Sequence, residues 1–236
     1  MTEGSVVAVV PARGGSRRIP RKNVRIFCGR PLIEWSLAAA RASGCFERII
    51  VSTDDEEIAR IARGAGAEVP FRRAAALADE HTGAQAVLAD AIERLALPED
   101  AVVCCLYATA PLLRPEDLRL GLERLRSSGA DFALAVTTFP FPIQRALRVD
   151  AADRLGMFEP EHLATRSQDL EEAWHDAGQF CYGRARAWTG AVPVFSPAAV
   201  AVPIPRHRVQ DIDTEEDWRR AEAMCLALQG RSEVDA

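Results

Sequence analysis

Val6-Val-Ala-Val-Val10 runs directly into Pro11-Ala-Arg-Gly-Gly-Ser-Arg-Arg-Ile-Pro-Arg-Lys-Asn23, and the fold is decided at that junction. An apolar run of strand length stops at a proline, and the next stretch carries two glycines and five basic side chains, Arg13, Arg17, Arg18, Arg21 and Lys22. Open α/β sheets bind ligands at the carboxyl ends of their strands, which is where this loop falls. Gly14 and Gly15 let the backbone approach a ligand and offer N–H groups to an anion, while Ser16, Asn23 and the cations add donors. A polyphosphate suits that set better than a merely solvated basic loop. The stretch is neither G-x-x-x-x-G-K-[ST] nor G-x-G-x-x-G, so the usual phosphate-loop and dinucleotide fingerprints are absent.

Further apolar runs of strand length follow at Arg48–Ser52, Glu68–Phe71, Ala101–Leu106 and Asp131–Phe139. They alternate with segments of helical period, the pattern of a helix-covered, mainly parallel sheet. Asp54-Asp-Glu-Glu57 fits a first helical turn, with Ile58, Ile61, Ala62 and Ala65 on one face before Gly66; Leu88, Ala91, Ile92 and Leu95 repeat the spacing before Pro98. Between Thr137 and about Gly183 the rhythm changes. Pro140 and Pro142 break the chain, and Arg145–Val149 and Leu155–Phe158 flank a polar turn at Asp150–Arg154, which predicts a β-hairpin leaving the sheet. The chain is expected to return through a strand at Arg206–Ile212 and a helix at Thr214–Leu228, with Trp218, Ala221, Cys225 and Leu228 on its buried face. The 236 residues are read as a single domain with an insertion at about 139–170.

With 29 Lys+Arg against 34 Asp+Glu, the net charge of −5 offers no general attraction to nucleic acid or an anionic membrane. The polar start and short first apolar run fit neither a signal sequence nor a spanning helix, and a cytoplasmic protein is expected. Six cysteines without C-x-x-C or His-paired spacing read as reduced thiols. A second chemical signal lies in Gln210-Asp-Ile-Asp213. On a strand, period-2 alternation would point Asp211 and Asp213 the same way, and two carboxylates beside a triphosphate site suit Mg²⁺. Asp213 could instead be the turn residue before the following helix.

The basic loop, Gly29-Arg-Pro-Leu-Ile33, Ser52-Thr-Asp-Asp55 and Gln210-Asp-Ile-Asp-Thr214 together resemble the acylneuraminate (CMP-sialic acid) cytidylyltransferase family over nearly the whole chain. Phe141-Pro-Ile-Gln-Arg-Ala-Leu147, Arg166-Ser-Gln-Asp-Leu-Glu-Glu172, His175-Asp-Ala-Gly-Gln-Phe180 and Pro205–Asp213 are more similar to its pseudaminic acid branch. The resemblance implies a three-layer, Rossmann-like nucleotidyltransferase fold that pairs into a homodimer through its hairpin. It also implies transfer of CMP from CTP to a nine-carbon acidic sugar, pseudaminic acid, with legionaminic acid, sialic acid and Kdo as alternatives and a non-catalytic nucleotide-binding protein as the rival of another class. By that resemblance Arg13, Gly14, Gly15, Ser16, Arg17 and Asn23 hold the phosphates, Lys22 stabilises the reacting phosphate, Arg73 and the backbone around Thr82 recognise cytosine, and Asp211 and Asp213 hold Mg²⁺. Arg17 stands where relatives often have Lys, exchanging a point charge for a planar fork.

Sialate enzymes carry Gln and Ser where this chain has Tyr107 and Ala110, which argues against sialic acid. Tyr107, Gln144, Arg166, Gln168, His175, Asp176 and Gln179 are expected to line the sugar site, because polar and planar donors and acceptors suit a carboxylate, hydroxyls and N-acyl groups. The proton acceptor stays open, His175 being one candidate.

Overall fold

The computed structural model describes residues 5–79, 82–190 and 192–234, with side chains described as far as residue 230; the polar start, residues 1–4, lies outside this range. A six-stranded sheet is built from β1 (Val6–Pro11), β4 (Arg48–Ser52), β5 (Val102–Leu106), β6 (Phe132–Thr138), β9 (Trp174–Arg184) and β10 (Ala199–Pro203), in the order β10-β6-β9-β5-β1-β4. The pairs β1/β4, β1/β5 and β10/β6 are parallel, and β9 runs antiparallel to both of its neighbours. Val6–Val10 are buried throughout, since β1 sits inside the sheet with helices on both faces, which is why its run shows no alternation.

One face of the sheet is covered by α1 (Leu32–Ser43), α2 (Glu56–Gly64) and α4 (Pro115–Ser128). The other is covered by α3 (Ala84–Arg94) and the short α5 (Ala185–Thr189), completing three layers. α2 begins where its acidic turn predicts: Asp55 is the N-cap, its side chain accepting from the Ile58 N–H at 3.0 Å. A third core joins the two-residue strands β2 (Ile26–Phe27) and β3 (Arg30–Pro31) to α6 (Glu215–Val234) through Phe27, Leu32 and Trp218, with Ile19 and Ile212 in the same cluster. Thr214 and Asp217 cap α6 reciprocally, with N···O distances of 2.9 and 3.2 Å.

The hairpin forms from β7 (Leu147–Val149) and β8 (Leu155–Met157), antiparallel and separate from the main sheet. Two expected strands do not form. Glu68–Phe71 makes only isolated bridges, Ile50 with Glu68 and Thr53 with Arg72, because Pro70 has no N–H for a ladder. Arg206–Ile212 is a 3-10 turn at Arg206–Arg208 followed by irregular chain; the strand lies earlier, at Ala199–Pro203. Val202 and Ile204 supply the buried positions there, and Pro205 then diverts the chain.

Candidate functional site

The basic loop leaves β1 at the point where the chain order reverses: β4 pairs with one side of β1 and β5 with the other. Its shape follows from a few anchors. Ile19 is fully buried in the third core, and Asn23, also buried, donates from Nδ2 to the Arg13 carbonyl at 3.0 Å. Pro11, Arg13, Ser16, Arg17, Lys22 and Asn23 are among the residues lining a cavity of about 160 Å³. A Cβ on Gly14 would stand 2.7 Å from Asp55 Oδ2, so the chain tolerates only glycine here. The Gly14 N–H donates to Asp54 Oδ1 at 2.9 Å, whereas Gly15 is exposed. Arg21, in the left-handed region at φ 58°, holds Asp55 and Glu57 and so ties the loop to the start of α2.

The acidic segment closes the loop from the other side. Lys22 Nζ donates to the Ile212 carbonyl at 2.5 Å and to Asp213 Oδ1 at 3.3 Å, and Arg18 pairs with the same oxygen at 2.8 Å. Asp211 and Asp213 flank the buried Ile212, so they converge by anchoring of Ile212 in the third core rather than by strand alternation. The Asp211 carboxyl is raised above its ordinary 3.8, first by loss of solvent and then by the charge of Asp213, with Lys22 opposing. Two carboxylates that repel one another beside a phosphate-sized basic pocket are a donor set that fits a hard divalent cation.

Asp213 does not cap α6, since Thr214 does, but its N–H donates to Asp217 at 3.2 Å, so it also belongs to the turn before that helix. The segment is held from behind by Arg208, whose guanidinium forms a buried two-bond pair with Asp117 of α4, and whose carbonyl accepts from Gln179 Nε2 at 2.6 Å.

Nucleotide-side residues meet through Asp79. Arg13 Nη1 donates to its carbonyl at 2.6 Å, and Thr82 gives its N–H and hydroxyl to the carboxylate at 2.7 Å each. Arg73 is buried at the end of β4, with Nε on Ser52 Oγ at 3.1 Å and a terminal nitrogen on the Ser52 carbonyl. Burial lowers its pKa from the ordinary value.

On the acceptor side, β9 bulges: pairing with β6 shifts register between Leu134 and Val136, and Gly178 adopts φ 62°. The bulge turns Asp176 and Gln179 toward the end of β5, where the Tyr107 N–H donates to the Gln179 carbonyl at 2.9 Å. Burial raises the Tyr107 hydroxyl and the Asp176 carboxyl, and the charge of Asp211 acts on both. Gln179 is buried with Oε1 unpaired. His175 Nδ1 donates to the Asp176 carbonyl at 2.9 Å, which leaves Nε2 as the open nitrogen, and its ring packs on Phe139 at 4.6 Å.

Three expected residues stand apart. Gln144, Arg166 and Gln168 lie in the insertion, in or beside 3-10 turns at Ile143–Arg145 and Ser167–Asp169 rather than on strands. Gln144 Nε2 donates to the Glu171 carbonyl at 3.0 Å, and Gln168 lines a separate cavity of about 360 Å³ with Phe139 and Arg206. Sequence reasoning missed Asp54, Asp79 and the Asp117–Arg208 pair as parts of the site. Asp54 and Arg208 left a signal, as members of the Ser52–Asp55 and Pro205–Asp213 motifs; Asp79 and Asp117 left none.

The family profile described as cytidylyltransferase matches residues 7–189. The chain is 42% identical over 220 residues to a pseudaminic acid cytidylyltransferase of Campylobacter jejuni, covering 92% of this chain and 95% of that one. It is 35% identical over 227 residues to N-acylneuraminate cytidylyltransferase A of Danio rerio, covering 94% of this chain and 51% of the other. Among solved structures, a CMP:2-keto-3-deoxy-manno-octonic acid synthetase complexed with CTP aligns with TM-score 0.70 at 17% identity, over 95% of this chain and 99% of that one, which shows a shared fold.

Proposed function

The chain belongs to the cytidylyltransferase family, and from that premise we propose that it transfers CMP from CTP to the anomeric hydroxyl of pseudaminic acid. The observation that carries this reading is the contact of Lys22 with Ile212 and Asp213, which brings the basic loop and the acidic segment, 190 residues apart, to one place. The sugar assignment rests on the relative named for pseudaminic acid and on Tyr107 at the acceptor end of β5.

In the reaction the anomeric hydroxyl releases its proton to solvent as its oxygen forms a bond to the α-phosphorus, the bond to the α–β bridging oxygen breaks, and pyrophosphate carries away the electron pair. Arg13, Ser16, Arg17, Asn23 and the exposed Gly15 amide bind the phosphates; Lys22 neutralises charge gathering on the α-phosphoryl oxygens. Gly14 contributes by close packing, its N–H being held by Asp54. Arg73 and the Thr82 backbone face the base. Asp211 and Asp213 would hold Mg²⁺, which supplies charge neutralisation to the triphosphate. Tyr107, His175, Asp176 and Gln179 orient the sugar, the unpaired Gln179 Oε1 accepting from an N–H or hydroxyl.

A homodimer belongs to the same reading. Phe141, Leu155 and Leu163 of the insertion are 79%, 70% and 71% exposed, more apolar surface than a two-stranded ribbon can leave in water. Gln144, Arg166 and Gln168, remote from their own cluster, reach the partner's sugar. Six unpaired cysteines suit a reducing cytoplasm, and no described helix is long and apolar enough to cross a membrane.

The test is pyrophosphate release from CTP and Mg²⁺ with pseudaminic, legionaminic and sialic acids and Kdo. Pseudaminic acid should give the highest kcat/KM, and CTP binding with no turnover on any of them would overturn the reading. Light scattering should give twice the chain mass, falling to one in a Phe141→Ser, Leu155→Ser, Leu163→Ser triple variant.

A further inference from the structure

A cavity of about 410 Å³ lies away from the nucleotide loop, between α1, α6 and the Pro111–Pro115 stretch that leads into α4. Its walls are apolar, from Ala38, Leu112 and Leu228 among others, and its polar features are chiefly two arginines, Arg30 and Arg114; among the described residues no acidic side chain lines it. The Arg30 guanidinium carbon lies over the Trp35 ring, 3.8 Å from its centroid, and Arg30 Nε is buried with no acceptor. Neither arginine has an ion-pair partner among the described residues. The contrast with the nucleotide loop is direct: Arg18, Arg21 and Lys22 are each held by a carboxylate.

The half-buried Arg30 and the exposed Arg114 thus bring two positive charges to an apolar hollow with no carboxylate partner among the described residues, and Arg30 Nε is buried there without an acceptor. A buried donor without an acceptor costs free energy that an incoming anionic oxygen returns. The volume falls within the range of small-molecule sites. We infer that this cavity is a second ligand site, separate from the nucleotide site, for an amphipathic anion: an apolar or aromatic body carrying one carboxylate, phosphate or sulfonate, stacked beside Trp35 with its charge on Arg30 and Arg114. The inference does not depend on which sugar the protein activates.

The probe is 8-anilinonaphthalene-1-sulfonate, titrated into the full chain while its emission is read by energy transfer from tryptophan, because Trp35 lines the cavity. One saturable component is expected that CTP does not displace. Its Kd should rise at least tenfold in Arg30→Gln, which removes the charge, and in Ala38→Phe, which fills the hollow from a partly exposed position of α1. It should be unchanged in Phe141→Ser, which alters the apolar insertion. CTP binding by calorimetry in each variant establishes that it is folded, and Ala38→Phe stands independently if Arg30→Gln fails that control. Wild-type affinity in the folded cavity variants, displacement by CTP, or a loss confined to Phe141→Ser would overturn the site. A change of mass in Ala38→Phe by light scattering, with probe affinity unaltered, would overturn it too, in favour of a contact between chains.

Discussion

Asp117→Ala tests how the carboxylate segment is held. Asp117 and Arg208 have side chains only 9% exposed each and share two hydrogen bonds, one of 2.9 Å. Removing the carboxylate leaves a guanidinium buried without its partner, a loss of about 3–5 kcal/mol. The Arg114 N–H also loses its acceptor at 3.2 Å, which adds about 1 kcal/mol for the missing cap. In a chain of this length each kcal/mol moves the midpoint by about 2–4 °C, so the thermal midpoint should fall by about 10–20 °C.

The control is Asp117→Leu combined with Arg208→Met. That pair removes both charges, keeps the 208 carbonyl for Gln179, and should recover most of the loss apart from the cap. The assay is urea unfolding of the single and double variants, read with the apparent Mg²⁺ constant for turnover at a temperature where all remain folded. A single variant within about 1 kcal/mol of the parent, or a double no better than the single, would refute the argument that the pair is a desolvated unit.

Lys22→Ala should lower kcat by about 10²–10³-fold with little change in CTP affinity, whereas Arg13→Ala should weaken CTP binding as well; steady-state kinetics with calorimetry separates the two, and near-normal turnover in both rules out the phosphate loop. Asp211→Asn and Asp213→Asn should keep far-UV dichroism while raising the Mg²⁺ requirement by about tenfold or more, because an amide lacks the charge a hard cation favours. Unfolding of Asp213→Asn would instead assign that residue to the turn before α6. Hydrogen bonding from Arg21 holds the Asp55 carboxyl down to about 2. A depressed value means that the pair stabilises above the ordinary carboxylate range and that its contribution is lost as pH falls toward 2. Arg21→Gln should therefore be less stable than the parent by about 1 kcal/mol, discounted for exposure, from neutral pH to about 4. That gap should close between about 4 and 2; a gap independent of pH would contradict the assignment.

What the sequence disclosed was whatever local chemistry determines. The β1 strand and its loop, the acidic start of α2, the hairpin turn and the buried face of α6 each depend on neighbours within a few residues, and each was legible, although Asp55 caps α2 rather than lying in its first turn. The strand at Ala199–Pro203 was not, because its Ala-Val-Ala-Val-Pro run lies among Pro197, Pro203 and Pro205, and its identity comes from pairing with β6, more than sixty residues away. The carboxylates show the same limit more sharply. Asp211 and Asp213 read as a pair through strand alternation, yet no strand is there, and they are directed by Ile212 seated beside Ile19 and Trp218. Gly14 is the clearest case. Its need to be glycine was readable as close approach of the backbone, but the near neighbour is Asp55 and its amide is already taken by Asp54. A loop rich in donors in the sequence thus becomes a loop with few free ones in the fold. On the proposed reading, the Gly15 amide, the Ser16 side chain and the Arg13 guanidinium, whose Nη1 is shared with the Asp79 carbonyl, are the phosphate contacts on which substitution should weigh most.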